Sequence, residues 1–102
     1  MTIKVSKNER IKATVTRAAA GIFVWLESKN CNAHITRYRP NPPLLDWDEK
    51  SASGIDWGGT VRGGKGRETK EFLFVLAYAT RIATRLNDPN PDNLTDKQIL
   101  AP

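Results

Sequence analysis

An amphipathic helix pattern near the end of the 102-residue chain is the strongest constraint on its fold. Between Glu68 and Leu86, apolar residues recur at the three- and four-residue spacing that places them on one face of a helix. They are Phe72, Val75, Leu76, Ala79, Ile82, Ala83 and Leu86. The segment 87–91, Asn-Asp-Pro-Asn-Pro, ends the pattern because proline cannot continue the hydrogen-bond ladder of a helix. We predict a helix over residues 68–86, whose apolar face needs a partner surface elsewhere in the chain.

The partner surface is predicted in residues 9–39, as a meander of antiparallel strands. Apolar and polar side chains alternate from Glu9 to Arg17 and again from His34 to Arg39, as they do in half-buried strands. The segment from Ile22 to Glu27 is rich in β-branched and aromatic residues, which favour strands. The apolar face of this meander would carry Ile11, Ala13, Val15, Ile22, Val24, Leu26, Ala33 and Ile35.

Two other interpretations of this region stay open. Ser6 and Glu9 have the spacing of a capping box, which would begin a long helix. The apolar face of that helix would contain Ile11, Val15, Ala18, Ile22 and Leu26. A hybrid has a strand at Ile3 to Val5, a helix across residues 18–20 and strands after it. Strands are favoured, because the Thr-Val-Thr run at 14–16 and Gly21 both weaken a helix interior.

These patterns predict an α+β fold in a single small domain over residues 1–102. An antiparallel sheet of three to four strands would pack against one long C-terminal amphipathic helix. Residues 40–66, with three prolines, six glycines and two tryptophans, are predicted as a long connector or one that contains a strand. Trp47 and Trp57 are expected to anchor this connector on the core, with an exposed contact role as the alternative. Residues 88–102 form a tail, with one short helical turn capped by Thr95.

The residue inventory excludes several classes of function. Cys31 is the only cysteine and His34 the only histidine, so one chain cannot assemble a zinc finger or an intramolecular disulfide. We predict no metal, no cofactor and no enzymatic activity, because no convincing catalytic set is present. There is no leader pattern and no apolar run near the roughly 18 residues that a membrane helix needs. We therefore expect a cytoplasmic protein that does not enter membranes.

A glycine-rich basic stretch at residues 59–65, Gly-Thr-Val-Arg-Gly-Gly-Lys, has the spacing of a phosphate-binding loop through its lysine. Gly66 follows at the position where a Ser or Thr would hold magnesium, so nucleotide hydrolysis is not predicted. Arg62, Lys65 and Arg67, just before the predicted helix, still make a candidate cradle for a phosphate group. The alternative is a solvated basic loop.

Positive charge is concentrated in the first third of the chain. Residues 1–39 carry eight basic and two acidic side chains, a net +6, although the net charge of the whole chain is only +5. In the predicted meander, basic and aromatic side chains fall on the face opposite the apolar residues. Basic side chains attract phosphates and aromatic rings stack on bases, so this pattern favours single-stranded nucleic acid.

We therefore predict a non-enzymatic nucleic-acid-binding accessory protein. Its candidate contacts are Arg10, Lys12, Trp25, Arg37, Tyr38, Arg39, Arg62, Lys65 and Arg67. The alternative is a small inhibitor or adaptor that docks on a larger complex, for example a host nuclease or defence complex, as phages and mobile elements encode. Helix residues outside the apolar stripe would form that protein interface: Phe74, Tyr78, Arg81 and Arg85. The partners considered are nucleic acid, another protein and a second copy of the chain.

Overall fold

The computed structural model describes residues 1–6, 9–29, 31–39, 55–61 and 70–102. Its elements are β1 (Thr2–Ser6), β2 (Glu9–Ala18), β3 (Gly21–Glu27), β4 (Cys31–Tyr38), β5 (Ile55–Val61), α1 (Lys70–Leu86), a 3₁₀ helix (Pro91–Asn93) and α2 (Asp96–Leu100). The fold is α+β. The described strands form one five-stranded antiparallel sheet, which a helix of 17 residues follows.

The strands lie side by side in chain order, from β1 at one edge to β5 at the other, and each pairs antiparallel with the next. The strand interpretation of residues 9–39 is confirmed, and the long-helix alternative is wrong. Of the hybrid, the strand at Ile3 to Val5 is confirmed by β1, and the helix across residues 18–20 is wrong. Residues 18–20 end β2 and form the turn to β3 instead of a helix. The β-branched run at 14–16 suits a pleated strand and disfavours a helix, which explains the outcome.

The predicted count of three to four strands is too low. Besides the predicted meander, the sheet contains β1 at one edge and β5 at the other. β5 lies inside residues 40–66 and confirms the alternative in which this predicted connector contains a strand. The Gly58-Gly59 pair conceals the alternation of that strand. Residues 40–54 and 62–69 lie outside the described residues, and with them Trp47 and the start of the predicted helix.

Gly21 begins β3 at a position that only glycine fits. Its φ is +157°. A Cβ atom at this position would overlap the backbone carbonyl oxygen of Arg37 on β4. The tight turn from β2 into β3 therefore depends on the absence of a side chain at residue 21.

The core lies between one face of the sheet and α1, which packs chiefly against β4. Seven of the eight predicted inward residues are buried, and Val15 is partly buried against them. From α1 the core receives Phe72, Val75, Tyr78, Ala79, Ile82 and Leu86. Burying an aliphatic or aromatic side chain of this size is worth about 1.5–3 kcal/mol. This packing fixes α1 on one face of the sheet and leaves the other face to carry the site.

The C-terminal segment closes one end of this core. Thr95 caps α2 with a capping box, since its side chain accepts from the backbone of Gln98 while Gln98 accepts from the backbone of Thr95. Ile99 and Leu100 are buried. The predicted Thr95-capped helical turn is therefore confirmed.

Candidate nucleic-acid interface

The face of the sheet that points away from α1, called here the outer face, is organised by the strand register. Side chains alternate between faces along a strand, and paired residues share a face. The register brings these residues together on the outer face: Lys4, Arg10, Lys12, Thr14, Thr16, Phe23, Trp25, His34, Thr36 and Tyr38. They come from β1, β2, β3 and β4, so no single segment of the sequence contains the surface.

Three cations, Lys4, Arg10 and Lys12, form a basic corner where β1 meets β2. Lys4 pairs directly with Arg10 across the two strands, and all three side chains are exposed. Within the described part of the chain, none of the three forms a hydrogen bond or an ion pair. Like charges directly opposite each other repel, so this corner favours an anionic ligand. Glu27, which lies opposite Lys12 on β3, is half-buried.

Aromatic rings occupy the outer face beside this corner. Trp25 on β3 is 43% exposed and Tyr38 on β4 is 47% exposed. Phe23, two residues from Trp25 along the same strand, is half-buried and meets Tyr38 edge to face, with ring centroids 6.3 Å apart at 88°. This contact supports the Tyr38 ring from one side. Large rings held this way on an open strand surface can stack on planar ligands.

The predicted contact Arg37 lies on the opposite face. It follows Ile35 by two residues and therefore points inward, where its side chain is fully buried. Its Nη1 donates to the carbonyl oxygen of Leu86, 3.1 Å away, at the last turn of α1. Burial lowers the pKa of Arg37, and the nearby charge of Asp88 partly offsets this effect. The assignment of Arg37 to the nucleic-acid face is wrong, because the sheet buries this side chain to hold the helix.

Arg39 is also engaged within the fold. It forms a two-pronged ion pair with Asp92 of the 3₁₀ helix, with Nη2 at 2.7 Å from Oδ1, and its Nε donates to the carbonyl oxygen of Ala18. The hydrogen bond from Arg39 lowers the pKa of Asp92. Arg39 therefore binds the C-terminal segment, and its contact with nucleic acid stays a prediction.

Arg17 also binds the C-terminal segment, as Arg39 does. Its Nη2 donates to Asp96 at 2.8 Å and to the carbonyl oxygen of Leu94, also at 2.8 Å. Arg17 and Arg39 of the basic first third are thus paired with acids from the neutral last third. Among the described residues, the positive charge that the outer face offers a ligand comes from the basic corner. Arg62, Lys65 and Arg67, predicted as a phosphate cradle, lie outside the described residues.

Two residues of the predicted protein interface on α1, Tyr78 and Arg85, contact the C-terminal segment of the chain itself. Tyr78 is fully buried, and its hydroxyl donates to the carbonyl oxygen of Leu100, so it cannot contact a partner. Arg85 donates to the carbonyl oxygens of Ile99 and Ala101. Tyr78 lies outside the apolar stripe of α1 and is covered by the C-terminal segment, which the helix pattern alone does not show.

The rest of the α1 surface remains open to solvent. Arg81 is exposed, and Phe74 is half-buried with the Lys70 ammonium 5.9 Å from its ring centre. Leu73, which is not among the predicted interface residues, is 54% exposed. Its exposure follows from its place between two stripe positions of the helix.

Lys4 and His34 are further residues of the outer face that were missing from the predicted contacts. Lys4 alternates with Ile3 and Val5, which is the available sequence signal, but its proximity to Arg10 depends on the pairing of β1 with β2. His34 stands between Trp25 and Gly58 in the register.

Metal sites and membrane-spanning helices are not found in the described part of the chain. No group of three or more His, Cys, Asp or Glu residues in that part of the chain could hold a metal ion. No helix there has the length and apolar character needed to cross a membrane. Cys31 is buried, with its Sγ 2.9 Å from Ser28 Oγ.

Comparison of the chain with protein-family models, curated proteins and solved structures finds no match. The geometry of the outer face is therefore the basis for a functional proposal.

Proposed function

We propose that the outer face binds single-stranded nucleic acid, and that the protein is a non-enzymatic accessory factor. The observation that carries this proposal is the presence of exposed Trp25 and Tyr38 on the same open face as the basic corner. Cations attract the phosphates, and each base stacked on a ring contributes about 1–3 kcal/mol. Both kinds of contact are needed to hold a flexible strand.

The dimensions of the face suit a short oligonucleotide. Outer-face positions along a strand repeat every two residues, or about 7 Å. The register places Tyr38 four such steps from Arg10, which is about 27 Å along the strands. Trp25 lies between them, two steps from Arg10. A strand of several nucleotides could follow this path from the basic corner across Trp25 to Tyr38.

A single strand fits the surface better than a duplex. Stacking on Trp25 or Tyr38 requires a base whose flat face is free, and the bases of a duplex already stack on one another. A sheet face also lacks the protruding helix or ribbon that enters a major groove. We therefore expect a preference for single strands over duplexes of the same sequence.

Fluorescence anisotropy with labelled oligonucleotides tests this proposal. Single-stranded DNA, single-stranded RNA and duplex probes are titrated with the protein across a salt series from about 50 to 200 mM. Trp25→Ala is expected to weaken single-strand binding by about 5- to 150-fold, the equivalent of one stacked base. Leu73→Ala, on the exposed side of α1, is the matched control and should bind normally. Absence of binding by the wild-type protein at the lowest salt would refute the proposal.

The second candidate, a small inhibitor or adaptor that binds another protein, is favoured by one observation. Leu73 is a large apolar residue, 54% exposed on α1, the helix that also carries the exposed cation Arg81. A protein captured from nuclease-treated lysate by the wild-type chain but not by Leu73→Asp would support this function. Equal capture by both chains would count against it, and the oligonucleotide titration separates it from the first proposal.

A further inference from the structure

A row of three residues crosses the centre of the outer face. Trp25 on β3 pairs with His34 on β4, and His34 pairs with Gly58 on β5. Trp25 and His34 are exposed, and Gly58 is half-buried. The imidazole of His34 therefore has an indole on one side and a position without a side chain on the other.

Gly58 is not required by the backbone conformation. Gly21 is the one glycine in the described part of the chain with a positive φ, so the conformation at Gly58 is one that any residue adopts. Glycine in the interior of a strand weakens it and often marks a close approach by another group. The approaching group here is the side chain of His34.

The His34 ring occupies the space above Gly58. A Cβ atom at residue 58 would stand 3.1 Å from His34 Cε1, 3.6 Å from Nε2 and 3.9 Å from Nδ1. The distance to Cε1 is tighter than most real Cβ contacts, whereas Nε2 and Nδ1 lie at ordinary van der Waals distance. The ring is therefore inclined toward β5, and hence away from Trp25 on β3.

We infer that Gly58 is a positioning residue, which seats His34 on β5 and thereby keeps the face of Trp25 open to a stacking base. A larger side chain at residue 58 takes the place of the imidazole, which then turns to another staggered rotamer. Rotamers that leave β5 bring the ring toward Trp25 or along β4. The functional part of this inference rests on the proposed binding of nucleic acid, whereas the effect on Trp25 exposure does not.

The first measurement concerns Trp25 alone and needs no ligand. Gly58→Val places a branched side chain that suits strands under the His34 ring. The exposure of the Trp25 indole N–H is followed by NMR with a soluble paramagnetic relaxation agent, and its signal is assigned by its loss in Trp25→Phe. The relaxation effect at Trp25 is expected to fall in Gly58→Val. Thr14→Val, which introduces valine on the other side of Trp25, is the matched control and should leave it unchanged.

The second measurement is a rescue. If the displaced His34 ring covers Trp25 in Gly58→Val, removing that ring should uncover Trp25 again. The double variant Gly58→Val/His34→Ala should then show the same relaxation effect at Trp25 as His34→Ala alone. In the anisotropy assay, Gly58→Val is expected to weaken oligonucleotide binding by about fivefold, the low end for one stacked base. The double variant is expected to bind as His34→Ala does.

The outcomes separate the two proposals. Unchanged Trp25 exposure in Gly58→Val, or reduced exposure that His34→Ala does not restore, overturns the inference even if oligonucleotides bind. Failure of the wild-type protein to bind any oligonucleotide refutes the proposed function, while the NMR measurement still decides the role of Gly58. If Gly58→Val does not fold, Gly58→Ala is measured in the same way, since a Cβ atom 3.1 Å from His34 Cε1 requires the ring to give by a few tenths of an ångström; a smaller fall in the relaxation effect is then expected, and no fall overturns the inference.

Discussion

Arg37 donates a hydrogen bond from its Nη1 to the carbonyl oxygen of Leu86, 3.1 Å away, from a side chain that is fully buried. The last carbonyl groups of a helix have no partner within the helix, and a cation is favoured beside them. Arg37 thus joins β4 to the end of α1. Arg37, a basic residue of the first third, therefore stabilises the fold from within the core.

Arg37→Ala is expected to lower the free energy of unfolding by about 3 kcal/mol, from the loss of a charged hydrogen bond and of buried volume. Oligonucleotide affinity of the folded protein should not change. Urea unfolding and anisotropy measure the two quantities. Normal stability combined with weakened binding would place Arg37 in the interface and contradict the structure.

The basic corner should control the salt dependence of binding. For single strands, log K falls with log salt by about 0.7 for each phosphate that the protein neutralises. Arg10→Ala and Lys12→Ala are each expected to reduce this slope by about 0.7 and to leave stability unaffected. Lys97→Ala, which removes an exposed cation from α2, is the control with the same change of net charge. An equal effect of all three variants would show that total charge, and not the corner, governs binding.

The core and the faces of β2, β3 and β4 could be predicted from local patterns. Alternation identified Ile11 and Ala13 as inward, and the helix period identified Val75 and Ile82, because these patterns depend only on the geometry of one element. The same alternation places Arg37 with Ile35 on the inner face. Its positive charge favoured an exposed position, and the sequence does not reveal the helix end that receives it.

Other features depend on contacts between distant segments. The fifth strand was concealed by the two adjacent glycines, Gly58 and Gly59, one of which serves the packing of His34. Tyr78 lies off the helical stripe, and it is buried because the C-terminal segment folds back over it. Part of the positive charge of the first third is paired within the fold and does not lie free on a surface. Arg39, for example, forms an ion pair with Asp92, more than fifty residues away in the sequence.

The ion pair between Arg39 and Asp92 should make stability depend on acid pH. The hydrogen bond from Arg39 lowers the pKa of Asp92 in the folded protein. A lowered pKa stabilises the fold above the unfolded value of about 4, and this contribution is lost as the pH falls through the folded value. The pair is partly exposed, so its contribution should be at most about 1 kcal/mol.

Asp92→Asn should therefore reduce the decline of unfolding free energy below about pH 4 relative to the wild-type protein. Urea unfolding at a series of pH values measures this decline. Arg39→Gln should produce the same change, and the double variant should add nothing to either single one. Full additivity of the two substitutions would mean that the side chains do not interact in solution.

Tyr78 should make the free energy of unfolding fall at alkaline pH, whereas the Arg39–Asp92 pair makes it fall at acid pH. Burial raises its pKa to about 12, although the nearby charge of Arg85 partly offsets the shift. The neutral hydroxyl is the form that donates to the Leu100 carbonyl oxygen. A raised pKa leaves the stabilisation complete below the unfolded value of about 10 and removes it as the pH rises toward the folded value. The two-unit shift corresponds to roughly 3 kcal/mol.

Tyr38→Phe leaves Tyr78 as the single tyrosine of the chain, so its ionisation can be followed by ultraviolet absorbance. We expect this tyrosine to titrate at about 12 in the folded protein, with unfolding free energy falling between pH 10 and 12. Tyr78→Phe should lack that alkaline decline and should be less stable near neutral pH by about 1 kcal/mol, because Leu100 loses its donor. Titration of Tyr78 near pH 10 while the protein remains folded would show that the C-terminal segment does not cover it. A hydroxyl in contact with water keeps the ordinary pKa of tyrosine, because nothing disfavours its charged form.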